Sequence, residues 1–153
     1  MSEPAPDITL RAVTRETYEA VCDLDTAPDQ QDFVSTNTWS LVESHYNPHY
    51  VARAIFAGDA PVGFIMWVPD DATAPRSVSI WRLMVDKAHQ KKGYGRRALE
   101  QALEEIRRGP AIERIEICYS PRNAVARKLY ADFGFEEIGM DEENEEMVAA
   151  LPA

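Results

Sequence analysis

The sequence at positions 90–98 reads Gln-Lys-Lys-Gly-Tyr-Gly-Arg-Arg-Ala and joins a strand pattern to a helix pattern. Gly93 and Gly95 stand two positions apart, and cations flank them on both sides. Glycine allows positive φ and a close approach of the backbone, and the free N–H groups of a first helical turn attract an anion. The stretch therefore predicts a binding loop for a phosphorylated ligand.

Three interpretations of this loop compete on the residues alone. A Walker loop is excluded, because it requires a wider glycine spacing and a Lys-Ser/Thr pair. A dinucleotide fingerprint fits Gly93, Gly95 and Ala98, with acids roughly 20 residues downstream at Glu113 and Glu116. Too few strand and helix patterns follow the loop, however, for a doubly wound sheet. A plain helix start with a tight turn and solvated cations also fits.

Length and composition favour one compact α/β domain. The chain has 153 residues, of which 45% are hydrophobic, and we expect a single domain over residues 1–153 with residues 1–7 flexible. The net charge of −10 disfavours nucleic acid or a membrane as a partner and permits a cationic substrate. Cys22 and Cys118 lack the spacing of a metal or redox motif, so we expect free thiols and no metal. With no leader pattern, a cytoplasmic location is expected.

The hydrophobic pattern predicts strands and helices in a largely alternating order. We expect strands at residues 8–13, 50–56, 62–68, 78–86, 112–119, 135–138 and 146–151, and helices at residues 14–24, 32–46, 94–108 and 123–133. The last helix is predicted to bury Val125, Leu129 and Phe133 and to end at Gly134. Residues 136–146 contain seven acids and no base, which we interpret as a solvated loop.

Two further segments accompany the loop. Residues 82–86, Arg-Leu-Met-Val-Asp, precede it, and residues 123–135, which include Lys-Leu-Tyr and Phe-Gly-Phe, follow it. Together with the loop, these segments resemble the GNAT superfamily of N-acetyltransferases, whose loop follows Gln/Arg-x-x-Gly-x-Gly/Ala. Residues 31–41 and 61–66 are similar to bacterial diamine and spermidine N-acetyltransferases, so the resemblance covers nearly the whole chain.

The resemblance implies a fold and a co-substrate. The fold is a single-domain α/β acyltransferase with a mixed, twisted sheet of about six to seven strands and about four helices, splayed between the fourth and fifth strands. The co-substrate is acetyl coenzyme A, with its pyrophosphate on the loop amides and its pantetheine arm along the fourth strand. The implied contacts are Leu83, Met84, Val85, Gln90, Lys91, Lys92, Gly93, Tyr94, Gly95, Arg96, Asn123 and Lys128.

The resemblance also implies a general acid. Tyr130 occupies the position whose hydroxyl protonates the departing thiolate, whereas without the resemblance the residue is better explained as an aromatic on the edge of the buried face of its helix. Residues 78–85 contain no carboxylate, whereas certain polyamine acetyltransferases carry a basic glutamate there. We therefore expect proton removal through water to Glu43, or to His45. Arg82, a charge inside an apolar strand, is expected to pair with a carboxylate.

The acceptor is predicted from the resemblance and from the acidic balance of the chain. Phe33, Trp39 and Glu43 could attract and stack an ammonium group, although a solvated helix face with core aromatics fits them as well. We expect a small polyamine or diamine such as spermidine, acetylated by direct attack in a ternary complex. The alternatives are a protein N-terminus or lysine, another small amine, an acyl coenzyme A sensor, and a nucleotide-binding oxidoreductase. A homodimer is an expectation from similar proteins.

Overall fold

The computed structural model describes residues 6–28 and 36–153. Flexibility is expected of residues 1–7, of which residues 1–5 lie outside the described residues. The substrate contact expected of Phe33 also lies outside them. In chain order the elements are β1 (Ile8–Ala12), α1 (Tyr18–Asp23), α2 (Asn37–Tyr46), β2 (Val51–Ala57), β3 (Ala60–Pro69), β4 (Ser77–Val85), α3 (Tyr94–Arg108), β5 (Arg114–Tyr119), α4 (Ala124–Asp132), β6 (Glu136–Asp141) and β7 (Glu146–Pro152). A short 3-10 turn at Lys87–His89 lies between β4 and the loop.

The strands form one mixed open sheet. Across the described chain its seven strands lie in the order β1-β2-β3-β4-β5-β7-β6, and β4 and β5 are the parallel pair. The predicted sheet of six to seven strands with four helices is therefore confirmed. One parallel pair does not make a doubly wound sheet, so the topology does not support the dinucleotide interpretation of the loop.

Helices cover both faces of the sheet. One core cluster packs α3 and α4 against it, and the other packs α1 and α2 against the opposite face. Because side chains alternate along a strand, neighbouring positions of β3 and β4 enter different clusters. The first cluster includes Ile65, Ile80, Leu99 and Ile117, and the second includes Val21, Phe64, Met66 and Met84. Nothing helical in residues 6–28 or 36–153 is both long and apolar enough to cross a membrane.

The predicted buried face of α4 is wrong at Val125, which is 76% exposed. Ala126 and Tyr130 are buried instead, and Leu129 and Phe133 pack partly against the core. These four positions follow the i, i+3, i+4, i+7 spacing of a single helix face. Val125 lies one residue before that face begins and therefore points to solvent.

The acidic run at residues 136–146 forms a hairpin rather than a solvated loop, in agreement with the strands predicted at residues 135–138 and 146–151. β6 covers Glu136–Asp141, and β7 begins at Glu146. Only residues 142–145 form the connecting turn. Its many acids and few apolar residues favour a loop locally, whereas the two strands are held by the pairing of β6 with β7 and of β7 with β5.

Gly63 allows β3 and β4 to approach closely. A Cβ atom at this position would collide with the carbonyl oxygen of Met84 and lie 3.1 Å from Cδ1 of Ile55. We expect Gly63→Ala to lower the free energy of unfolding by about 1–3 kcal/mol, because neither the backbone nor the packed core can yield without strain. Chemical denaturation measures the change.

Gly95→Ala is the matched control for this prediction. Its Cβ would lie 3.7 Å from Cγ2 of Val85 and 4.0 Å from Cδ2 of Leu129, which are ordinary contacts. Alanine is favoured over glycine inside a helix by about 1 kcal/mol, so this variant should be at least as stable as the parent. Equal destabilisation by the two substitutions would contradict the prediction.

Candidate functional site

β4 and β5 separate halfway along their length. Their parallel pairing joins residues 77–80 to residues 114–117 and is not continued beyond these positions in the described chain. Residues 81–85 continue along β3, while residues 118–119 continue along β7. A cleft therefore opens between the second halves of the two strands.

A β-bulge in β4 lies where the cleft begins. Met66 of β3 pairs with Arg82 and Trp67 pairs with Ile80, which leaves Trp81 as the extra residue. Directly paired residues share a face of the sheet, and Met66 belongs to the core cluster of α1 and α2. The bulge thus turns Arg82 toward α2.

Arg82 is paired with a carboxylate, as expected from the sequence. Its Nη2 atom lies 2.9 Å from Oε1 of Glu43 in α2, and the two side chains are only 14% and 24% exposed. The Nε atom of Arg82 is buried and has no hydrogen-bond partner among the described residues. Glu43, predicted to act on the amine, is therefore engaged by an arginine, while Trp39 is 60% exposed on the same helix. His45 is exposed, with its ring against Tyr46.

Tyr130 projects from α4 into the core beside β5. Its ring centroid lies 5.2 Å from that of Tyr119 and 6.2 Å from that of Phe135, and only 5% of the residue is exposed. Its hydroxyl takes part in no hydrogen bond with the rest of the described chain. Burial raises the pKa of Tyr130, and the neighbouring Tyr119 and Glu146 add to the rise. The phenol is therefore protonated at neutral pH and can act as a proton donor.

β5 and β7 bring Cys118 and Glu146 to the same face of the sheet. Cys118 pairs directly with Val148, and Glu146 lies two residues before Val148 in β7. Met147, between them, belongs to the core cluster of α3 and α4 on the other face. By the alternation of a strand, Cys118, Val148 and Glu146 face the α1 and α2 side.

The electrostatics of the cleft follow from this arrangement. Burial raises the pKa of Cys118 to about 12, with Glu146, Glu116 and Asp141 adding to the rise and Arg82 opposing it. Burial also raises the pKa of Glu146, and Arg82 again opposes the change. The thiol is therefore protonated at neutral pH and is a poor nucleophile. No group of three His, Cys, Asp or Glu within residues 6–28 and 36–153 is arranged to hold a metal ion.

Sequence reasoning missed Glu146 as a residue of this cleft. It was grouped with the acids of the preceding run and interpreted as solvated. The available signal was the strand pattern that begins at this residue, in which Glu146 shares a face with Val148 and Ala150. The position of β7 beside β5 was not visible in the local pattern.

The loop before α3 forms an anion cradle. Gly93 caps the helix with a φ of +78°, and Lys91 also has a positive φ of +65°. No side chain of the described residues caps α3, so the first N–H groups of the helix are available to a ligand. Lys91 and Lys92 are exposed beside them. This arrangement fits a pyrophosphate, because backbone donors, the helix dipole and two cations all favour a dianion.

Other predicted loop residues have structural partners. The amide of Gln90 donates a hydrogen bond to the carbonyl oxygen of Val85 at 3.0 Å and so closes the end of β4. Arg96 pairs with Asp132 at 3.0 Å. Tyr94 is buried in the core under α3. These three residues therefore hold the cradle in place through contacts with β4, α4 and the core.

Two predicted residues lie at or near the start of α4. The side chain of Asn123 accepts a hydrogen bond from the backbone N–H of Ala126 at 3.1 Å and caps the helix. Lys128 is exposed on the same helix. The cap fixes where α4 begins and thereby sets the face on which Tyr130 lies.

The open edge of β4 presents backbone groups to the cleft. The carbonyl oxygen of Met84 approaches Gly63 and therefore points toward β3. Backbone groups of successive residues alternate across a strand, so those of Leu83 and Val85 point toward the cleft. Gln90 already donates to the carbonyl oxygen of Val85, so the groups open to an extended ligand are the N–H and carbonyl of Leu83 and the N–H of Val85.

Comparison with known proteins finds a matching family, and curated relatives and solved structures that resemble this chain. Residues 13–135 match the acetyltransferase (GNAT) family. A probable spermine N(1)-acetyltransferase of Bacillus subtilis subsp. natto is 26% identical over 145 residues, which cover 92% of this chain and 95% of the relative. The spermidine N-acetyltransferase of Vibrio cholerae, solved with coenzyme A and spermine, aligns with a TM-score of 0.72 and 20% identity over 94% of this chain and 92% of that chain. An aminoglycoside acetyltransferase solved with coenzyme A aligns with a TM-score of 0.79 and 15% identity over 95% of each chain.

We expect the ion pair between Arg82 and Glu43 to stabilise the fold. A double-mutant cycle with Arg82→Met and Glu43→Gln should give a coupling energy of about 1.5–3 kcal/mol, because both groups are largely removed from water. The control cycle uses Arg76 and Glu113, which are also 2.9 Å apart but are 75% and 60% exposed. That pair should show little or no coupling. Comparable coupling in both cycles, measured by chemical denaturation, would show that burial does not strengthen the inner pair.

Proposed function

The chain belongs to the acetyltransferase (GNAT) family and uses acetyl coenzyme A, and we propose that its acceptor is a primary amine of a small polyamine or diamine such as spermidine. The acidic lining of the cleft carries this proposal. Carboxylates from α2, β5, β6 and β7 lie on the α1 and α2 side of the sheet, on which the cleft opens beside Arg82 and Cys118: Glu43, Glu116, Asp141 and Glu146. A chain with a net charge of −10 also attracts a polycation from solution.

The names of two relatives support the same acceptor class. The Bacillus relative is a probable spermine acetyltransferase, and the Vibrio structure contains spermine. The sequence-based runner-up is a protein N-terminus or lysine, and an aminoglycoside is a further candidate because an aminoglycoside acetyltransferase shares the fold with a TM-score of 0.79. Polyamines and aminoglycosides both carry several ammonium groups and would be favoured by the same carboxylates.

We assign the binding of acetyl coenzyme A to the loop and the open edge of β4. The N–H groups from Gly93 to Arg96 would hold the pyrophosphate, with Lys91 and Lys92 adding positive charge. The backbone N–H and carbonyl of Leu83 and the N–H of Val85 would bind the extended arm. The bound molecule supplies an activated acetyl thioester, and the residues around the cleft position the amine against it.

Two side chains of the cleft define the proposed transfer. Tyr130 is protonated and buried, so its hydroxyl can donate a proton to the departing sulfur. Cys118 is protonated as well and does not serve as an acyl carrier at neutral pH. Direct attack by the amine in a ternary complex therefore suits this cleft better than transfer through the enzyme's thiol.

Acetyl transfer is tested by release of free coenzyme A thiol with spermine, spermidine, putrescine, an aminoglycoside and a peptide. We expect kcat/KM to be highest for a polyamine, because several carboxylates line the cleft. Tyr130→Phe should lower kcat by about 10²-fold through loss of the proton donor, with Tyr119→Phe as a control that removes a neighbouring hydroxyl. Unchanged kcat in Tyr130→Phe would show that Tyr130 is not the general acid. A higher kcat/KM for the peptide than for any polyamine would indicate a protein acceptor.

The anion cradle is tested by the affinity for coenzyme A. Gly93→Ala places a side chain at a φ of +78°, and we expect binding to weaken by about five- to tenfold, because the left-handed conformation is strained for alanine. Gly58→Ala is the matched control, since Gly58 has a φ of +61° in the turn between β2 and β3. It should lower stability but leave the dissociation constant unchanged. Calorimetric titration that finds equal affinities for the two variants would argue against the cradle.

A further inference from the structure

Glu146 occupies a central position among the charged and titratable groups of the cleft. Arg82 from β4 and Asp141 from β6 act on its charge, and Glu146 in turn acts on Cys118 of β5 and Tyr130 of α4. Groups from four elements thus interact electrostatically with this carboxylate, and the pairing of β7 places it beside the end of β5 that borders the cleft. The residue lies on the α1 and α2 side of the sheet, where the acidic lining is found.

We propose that Glu146 is the proton acceptor for the substrate ammonium group, an assignment that rests on the proposed acetyl transfer to an amine. The structure gives other partners to the competing carboxylates of the cleft. Glu43 is paired with Arg82 at 2.9 Å, and Glu116 lies 3.6 Å from Arg114. The side chain of Glu146 forms no hydrogen bond or ion pair with the described chain.

Asp141 is also engaged within its own turn. Its carboxylate accepts hydrogen bonds from the side-chain amide of Asn144 at 2.8 Å and from the backbone N–H of Glu143 at 3.1 Å. These contacts hold its pKa below the usual range. Asp141 is therefore a weaker base than Glu146, and its negative charge keeps the neighbouring carboxylate more basic.

Burial brings the pKa of Glu146 and the pKa of the substrate ammonium group closer together. Removal from water raises the pKa of Glu146, and the same environment lowers the pKa of an ammonium group that enters it. Arg82 contributes in two ways. It partly offsets the rise at Glu146, which favours the anionic form, and its positive charge disfavours a second cation beside it.

Two protons leave the substrate nitrogen in the proposed transfer. One proton of the ammonium passes to a carboxylate oxygen of Glu146, directly or through one water, and leaves a neutral amine with a free electron pair. The C–N bond forms from that pair, and the C–S electron pair departs with sulfur. The sulfur takes a proton from the Tyr130 hydroxyl, and the second proton lost by nitrogen restores that hydroxyl. The products are an amide and a thiol, and Glu146 returns its proton to solvent.

The test compares Glu146→Gln with Glu142→Gln, which removes an exposed carboxylate from the β6–β7 turn. With spermidine as the acceptor, we expect Glu146→Gln to lower kcat by about 10²- to 10³-fold, while the KM for acetyl coenzyme A stays at the parent value. Glu142→Gln should behave as the parent. A merely structural role would change the stability and both KM values, which denaturation and full kinetics detect.

The pH profile supplies a second readout. A proton acceptor works only when ionised, so the parent kcat/KM should fall as pH decreases through the pKa of Glu146, at a pH above the range of an ordinary glutamate. In Glu146→Gln this decrease at low pH, the acid limb of the profile, should be absent. Its activity should instead climb at high pH, as the free amine itself loses its proton near pH ~10.4. Glu146→Asp should keep the limb and part of the activity.

The outcomes separate this inference from the proposed function. If the parent acetylates an amine and Glu146→Gln retains activity within about threefold of Glu142→Gln, another group takes the proton and acetyl transfer stands. If Glu146→Gln does not fold, loss of the acid limb in the folded Glu146→Asp variant would overturn the assignment. Absence of turnover by the parent with every amine would remove both the acceptor and the role of Glu146.

Discussion

Pairing between β4 and β5 ends after Ile80 and Ile117, and the position of each proposed functional group depends on that break. If the ladder continued, the backbone groups of Leu83 and Val85 would be consumed by β5, and no extended ligand could add to the strand. The bulge at Trp81 increases the local twist of β4, and β5 follows β7 instead. Close contact with β3 holds β4 in place although its other edge is open.

The sheet separates the two proton transfers of the proposed reaction. Tyr130 belongs to the core on the α3 and α4 side, whereas Glu146 faces the α1 and α2 side. The gap between the strands is where groups from the two faces come near enough to influence each other's charge. Burial favours the protonated form of both, and only the carboxylate has a nearby arginine that opposes the effect. One environment thus yields a neutral acid and an ionisable base.

Local sequence signals predicted the elements whose ends are marked by glycine or proline. α3 was predicted at residues 94–108 and lies there, because Gly93 begins it and Gly109-Pro110 ends it. The role of Arg82 as a paired charge followed from its apolar neighbours. Glu146 could not be found this way, because its place depends on β7 inserting between β5 and β6, an order that leaves no mark in local periodicity. The order of the strands decides which side chains meet across the sheet, and the local hydrophobic periodicity does not reveal that order.

The ion pair of Arg82 with Glu43 links the acceptor side of the cleft to the strand that borders the cofactor side. A ligand that draws Glu43 away from Arg82 also alters the charge and packing beside β4, and therefore the free energy with which a second ligand binds there. Thermodynamic linkage makes this coupling reciprocal: each ligand changes the affinity for the other by the same factor. One salt bridge can thus make the two substrates cooperative partners in binding, without any movement of a domain.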